Sequence, residues 1–146
     1  MKPKQYVPTE FLMDALQAHE NYSDFLKANE DVLGQEDFKI AIRLRMFETG
    51  REISEIFKAA HLRPSYAYQI LNGQRQPTRD KIIQFAFGMA LDLDATNLLL
   101  SSATKQPLYA KRKRDAVIIF SLLHNQSIEV VNDNLVAQGF EALYKD

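Results

Sequence analysis

The chain contains no cysteine. That excludes disulfides, thiolate nucleophiles and cysteine-ligated zinc. Glycine is sparse, with five residues in 146, and neither a glycine-rich phosphate loop nor a G-x-S-x-G elbow occurs. The three histidines, His19, His61 and His124, lie far apart with no partner at ligand spacing. No metal or other cofactor is expected, and without a nucleophile–base constellation no enzyme is expected. No segment approaches the roughly 18 to 20 uninterrupted apolar residues of a membrane span. The opening "MKPKQYVPTEFLMDAL" also lacks the apolar run of a signal peptide. The expectation is a cytoplasmic protein with no membrane partner.

What is present is ordinary in amount: 46% apolar and 25% charged residues, the balance of a soluble globular domain long enough to bury a core. The net charge of -1 is unevenly spread. Residues 1–35 hold three Lys against six acids, and residues 116–146 hold one Lys against four. Residues 36–115 hold 14 Lys and Arg against nine acids, a net of +5. A basic centre between acidic ends suits a phosphate-backbone binder, and equally a solvated face.

Apolar spacing predicts helix almost throughout. "PTEFLMDALQA" has Thr9 as cap and Phe11, Leu12, Ala15 and Leu16 on one face, and "NYSDFLKAN" follows. "EDFKIAIRLRMFET" places Phe38, Ala41, Ile42 and Met46 at helical spacing and stops at Gly50. In "EISEIFKAA", Ile53, Ile56, Phe57 and Ala60 are predicted to face inward. "PSYAYQIL" opens with Pro64 at the first helical position and ends at Asn72-Gly73. Thr78 caps "RDKIIQFAFGMA", and "DATNLLLSS", "RDAVIIFSLLHN" and "IEVVNDNLVAQGF" complete an all-α chain.

An internal repeat runs at an offset of 35, residues 79–109 on 114–144. Eight positions match: Arg79/Arg114, Asp80/Asp115, Ile83/Ile118, Phe85/Phe120, Asn97/Asn132, Leu100/Leu135, Leu108/Leu143 and Tyr109/Tyr144. Each copy is a helical hairpin with a similar packing face. Lys111, Arg112 and Lys113 precede the second copy as a solvated linker or as extra phosphate contacts.

Between "EISEIFKAA" and "PSYAYQIL" lies only "HLRP". Ile56, Leu62, the "SYAYQI" helix, the "NGQRQP" segment with Gly73, Arg75 and Pro77, and the apolar helix ending in "LDLD" carry a family likeness. Residues 37–103 resemble the Xre-type, Cro/cI-repressor-like helix-turn-helix family. The resemblance implies a lambda-repressor-like DNA-binding domain over 36–103. A helical extension (1–35) would precede it, and a C-terminal hairpin (104–146) would pack on the same domain or dimerise. It also implies base reading from positions Pro64, Ser65 and Gln69. Two departures stand out: Met46 and Leu71 replace a buried Arg–Glu pair common in the family, which implies an apolar contact between them. Phe57 stands where the family usually has a small residue.

The residues agree with that reading. Gln makes bidentate bonds to adenine, Ser bonds donor or acceptor base edges, and Tyr packs on a thymine methyl or bonds a phosphate. The expected DNA contacts are Arg63, Ser65, Tyr66, Tyr68, Gln69, Asn72, Gln74, Arg75 and Arg79. Tyr68 is equally suited to packing between helices. The expected function is a sequence-specific, double-stranded-DNA-binding transcriptional regulator, a repressor acting as a homodimer. The acidic terminal segments are the natural place for a partner protein. The alternative is a protein-interaction or antitoxin-like adaptor on the same scaffold. The surplus apolar residues of the second copy, Val117, Ile118, Phe120, Leu122, Leu123, Val130, Val131 and Leu135, are expected to serve both intrachain stacking and a homodimer contact, together with Phe11, Leu12 and Leu16.

Overall fold

The computed structural model describes residues 9–28 and 37–145. Among them the chain is all helix and turn, with no strand. It divides into two compact units, 1–37 and 38–146. In the first, α1 (Thr9–Ala18) lies against α2 (Tyr22–Ala28). Asn21 starts α2 by accepting the N–H of Asp24 at 2.9 Å. Phe25 is buried, and the ring of His19 meets its edge at 5.9 Å. Phe11 and Leu16 are exposed, while Leu12 and Ala15 are half-buried, so the predicted apolar face of α1 is only partly covered within this unit. Much of the acidic N-terminal segment, residues 1–8 and 29–36, lies outside the described residues, as does Asp146.

The second unit contains α3 (Asp37–Glu48), α4 (Ile53–Ala59), α5 (Pro64–Leu71), α6 (Arg79–Gly88), α7 (Leu93–Ser102), α8 (Lys113–Leu123) and α9 (Ile128–Ala137). The C-terminal hairpin therefore belongs to the same compact unit as residues 38–103. One core spans it, from Phe38, Ile42 and Met46 through Ile56, Phe57 and Ile83 to Ile118, Val131 and Leu143. Ile53 departs from its expected inward position and is exposed, because it is the first residue of α4 and precedes the stripe of Ile56, Phe57 and Ala60. Gly88 sets the spacing of α6 on α4: a Cβ there would lie 2.6 Å from both the Ala60 Cβ and the Ile56 carbonyl. No described helix is long and apolar enough to cross a membrane.

The repeat is visible in the backbone. Ala90 and Asn125, 35 residues apart, both take left-handed φ, +53° and +52°. Thr104 (+56°) and Gly139 (+81°) repeat the feature at the same offset. In each copy an Asn side chain ties the second helix to the following segment. Asn97 Oδ1 accepts the Leu108 N–H at 2.8 Å, and Asn132 Oδ1 accepts the Leu143 N–H at 2.7 Å.

The two copies also exchange their Arg-Asp couplets. Arg79 donates to both oxygens of Asp115 at 2.9 and 2.8 Å, and Arg114 donates to both oxygens of Asp80 at 2.9 and 2.9 Å. Helix contacts follow the same rule: α6 meets α9 as α8 meets α7. A contact in which i meets j while j's counterpart meets i's has the pattern of a local two-fold.

Candidate nucleic-acid interface

The turn between α4 and α5 is built from four residues. Ala60 caps α4, and His61 takes φ +56° so that the Leu62 N–H reaches back to the Phe57 carbonyl at 3.0 Å. Arg63 is extended, as the residue before a proline prefers, and Pro64 begins α5. Gln84 braces the turn from behind: it is fully buried and its Nε2 donates to the Ala60 carbonyl at 3.0 Å.

On α5, Ala67, Ile70 and Leu71 are buried; Ser65, Tyr66, Tyr68 and Gln69 divide between two hollows, and Pro64, an expected base-reading position, is exposed and lines neither. The first has a volume of about 460 Å³, and Arg63, Ser65, Tyr66, Gln69 and Arg75 line it. The second has a volume of about 530 Å³ and takes Tyr68 and Asn72, with Arg43, Met46, Phe47, Ile53 and Leu71. Met46 and Leu71, the apolar pair of the sequence departure, are both buried and border this second hollow. The ring of Tyr68 meets Phe57 edge-on at 5.2 Å yet stays 45% exposed, so it both packs and faces solvent.

Past α5 the chain reverses at Gly73, whose φ of +78° lets the N–H groups of Gln74 and Arg75 both return to the Gln69 carbonyl. That turn brings Arg75 back over the helix. Its Nε donates to Gln69 Oε1 at 3.0 Å, and its guanidinium stands 5.1 Å from the Tyr66 ring centroid. Lys81 Nζ approaches the same ring at 5.6 Å. Tyr66 thus carries two cations on a π surface, which favours positive charge. Arg43 closes the helix end, donating to the Leu71 carbonyl at 2.9 Å and to Asn72 Oδ1 at 3.3 Å. Gln74 is exposed in the turn.

Arg79 stands apart from this group. Besides Asp115, it donates to the carbonyls of Gln106 and Pro107, so its guanidinium is committed inside the protein. It is the expected phosphate contact that the fold uses as a strut. The pair shapes both groups. The Asp115 hydrogen bonds raise Arg79 above its ordinary value, against burial. Burial pushes the Asp115 carboxyl up, but hydrogen bonds from Arg79 and the Tyr109 N–H, with the charges of Arg79 and Arg112, outweigh it and hold it below its ordinary value.

Five further residues line the first hollow that the sequence did not place there: His61, Leu62, Lys81, Tyr144 and Lys145. The sequence carries no local signal that the C-terminal segment returns to the α4–α5 turn. The ring of His61 stacks on Tyr144 at 4.2 Å and 13°, and His61 Nε2 meets Glu129 Oε1 at 2.7 Å. That hydrogen bond holds the Glu129 carboxyl below its usual range.

Comparison with protein-family models, curated proteins and solved structures returns no match. The site's own chemistry is what bears on its use. The first hollow gathers a hydroxyl, an amide, aromatic faces and several cations, a set suited to hydrogen-bonding an anionic polymer that also presents flat bases.

Proposed function

We propose that the protein is a sequence-specific, double-stranded-DNA-binding regulator of transcription, a repressor of Xre type, which reads the major groove with α5. One observation carries the reading: the hollow beside α5 joins base-reading groups, Ser65 and Gln69, to the basic side chains of Arg63, Arg75, Lys81 and Lys145. Phosphate contacts would come from the cations and sequence discrimination from the two neutral groups. Arg75 occupies Gln69 Oε1, so bidentate reading of adenine requires Arg75 to move onto a phosphate. Selection from random duplex DNA with the purified protein tests this. Gln69→Ala should lose about 1–3 kcal/mol on the selected site and relax one base position. Arg75→Ala should weaken every duplex and lower the salt slope by about one unit. Selection that yields no preferred sequence would overturn the reading.

A homodimer forms part of the proposal. Ile118, Leu122, Val131 and Leu135 are buried within the unit and unavailable to a second chain, whereas Phe120, Leu123 and Val130 are exposed. Their counterparts 35 residues earlier, Phe85, Gly88 and Ala95, are buried. The face that the first copy covers is thus left bare on the second, and a second chain is its proposed cover.

The adaptor reading, in which a protein partner docks and also uses the acidic termini, draws support from the second hollow. Phe47 is 86% exposed and lines it together with the exposed Ile53 and Tyr68. Duplex binding that falls steeply with salt favours the regulator, and a salt-insensitive protein contact favours the adaptor.

A further inference from the structure

The hollow beside α5 is walled on its far side by the C-terminal segment. That segment is tied down by hydrogen bonds. Asn132 Oδ1 accepts the Leu143 N–H at 2.7 Å, Asn132 Nδ2 donates to the Tyr144 carbonyl at 3.2 Å, and Arg114 donates to the Glu141 carbonyl. His61 then pins it to the α4–α5 turn through the Tyr144 stack, while the Glu129 contact ties the same turn to α9.

The consequence is electrostatic. Arg63, Arg75, Lys81 and Lys145 come from four separate places in the chain and border one cavity. None of the described residues lining it is acidic. Tyr66 draws Arg75 and Lys81 towards the same ring. Like charges converging on a concave surface raise its affinity for anions, because field lines are focused there. Ser65 and Gln69 add neutral hydrogen-bonding groups at its edge. A volume of about 460 Å³ exceeds one phosphate group and accommodates a phosphate with the sugar that bears it.

We propose that this cavity is a phosphate-binding site completed by the C-terminal segment, with Lys145 as a phosphate ligand supplied from outside the helix–turn–helix region. The ligand chemistry is a nucleic-acid phosphodiester or the phosphoryl group of a free nucleotide. The duplex source rests on the regulator reading above; the free-phosphoryl source does not.

The test uses the full-length chain, Lys145→Ala and Lys81→Ala. Lys145 is exposed, so its removal should leave folding intact, which a thermal melt checks. Two probes are titrated calorimetrically: the duplex selected by the protein, over a range of salt, and inorganic pyrophosphate. The expected result is a several-fold loss for both variants on the duplex, with the salt slope lowered by about one unit and the preferred sequence unchanged. Pyrophosphate should bind the parent chain and weaken in both variants. A duplex-binding parent with the slope and pyrophosphate affinity unaltered in Lys145→Ala would overturn the inference and leave the regulator reading standing. Lys145-dependent pyrophosphate binding by a chain that binds no duplex would support the site and overturn the regulator reading. Binding of neither probe would overturn both.

Discussion

Asp115 is 3% exposed, yet its two oxygens accept three hydrogen bonds, two from Arg79 and one from the Tyr109 N–H. A buried carboxylate so enclosed is tolerable only while its cation stays in place. Asp115→Asn should therefore cost about 3 kcal/mol, the low end for a broken buried pair, because the Arg79 side chain is 23% exposed and can recover some hydration. The carboxyl is held below its ordinary value in the folded protein, so the unfolded chain binds its proton first as pH falls. Its stabilisation is complete above the unfolded value of about 3.9 and drains away as pH drops through the lower folded value. Denaturant melts between pH 6 and 3 should show an acid loss in the parent that is smaller in Asp115→Asn; equal pH dependence would remove Asp115 from that role. At the same scale, Ser65, Tyr66, Gln69 and Arg75 were legible in the sequence as one group, since a single helix and the turn after it fix which side chains share a face. Arg79 was not, because its partner lies 36 residues away, although the repeated Arg-Asp couplet held the hint.

Helix by helix, the two hairpins use the same joints. Asn97 and Asn132 each hold a backbone N–H of the segment that follows their helix, and Leu108 and Leu143, whose N–H groups they hold, are buried. Removing either acceptor leaves a donor unpaired in the interior, at about 1–3 kcal/mol. Asn97→Ala and Asn132→Ala should both destabilise by that order in chemical denaturation. The loss should be larger for Asn132, which also bonds the Tyr144 N–H and carbonyl. A negligible loss at both positions would mean that the matching geometry carries no energy. The helices themselves were readable from apolar spacing because each buries one stripe, and Thr78 caps α6 as its sequence position implies. Where spacing failed, at Ile53, the residue sits at a helix end, where neighbours on only one side can cover it. The wall formed by Tyr144 and Lys145 was beyond any local pattern, because it arises from a tertiary return of the chain.

Across the second unit, the exposure of Phe120 and Leu123 on α8 and of Val130 on α9 is the clearest difference between the two copies. If these residues join two chains, Leu123→Asp should give a monomer by light scattering at concentrations where the parent is a dimer, with helix content unchanged. An unaltered particle mass would take them out of the interface. Truncating the hairpin is the poorer test, since it would also leave Arg79 and Asp80 without their partners. The exchanged couplets have a wider implication. A reciprocal contact of this kind can be made equally well by two separate molecules, each contributing one hairpin. Here Ala110, Lys111 and Arg112 tether the halves, so the second hairpin meets the first at an effective concentration of about millimolar, whatever the amount of protein present. The protein thereby carries a dimeric four-helix assembly inside one chain, independent of dilution. The same exchange also makes it open to domain swapping, because a neighbouring chain's hairpin offers the same Arg and Asp in the same order.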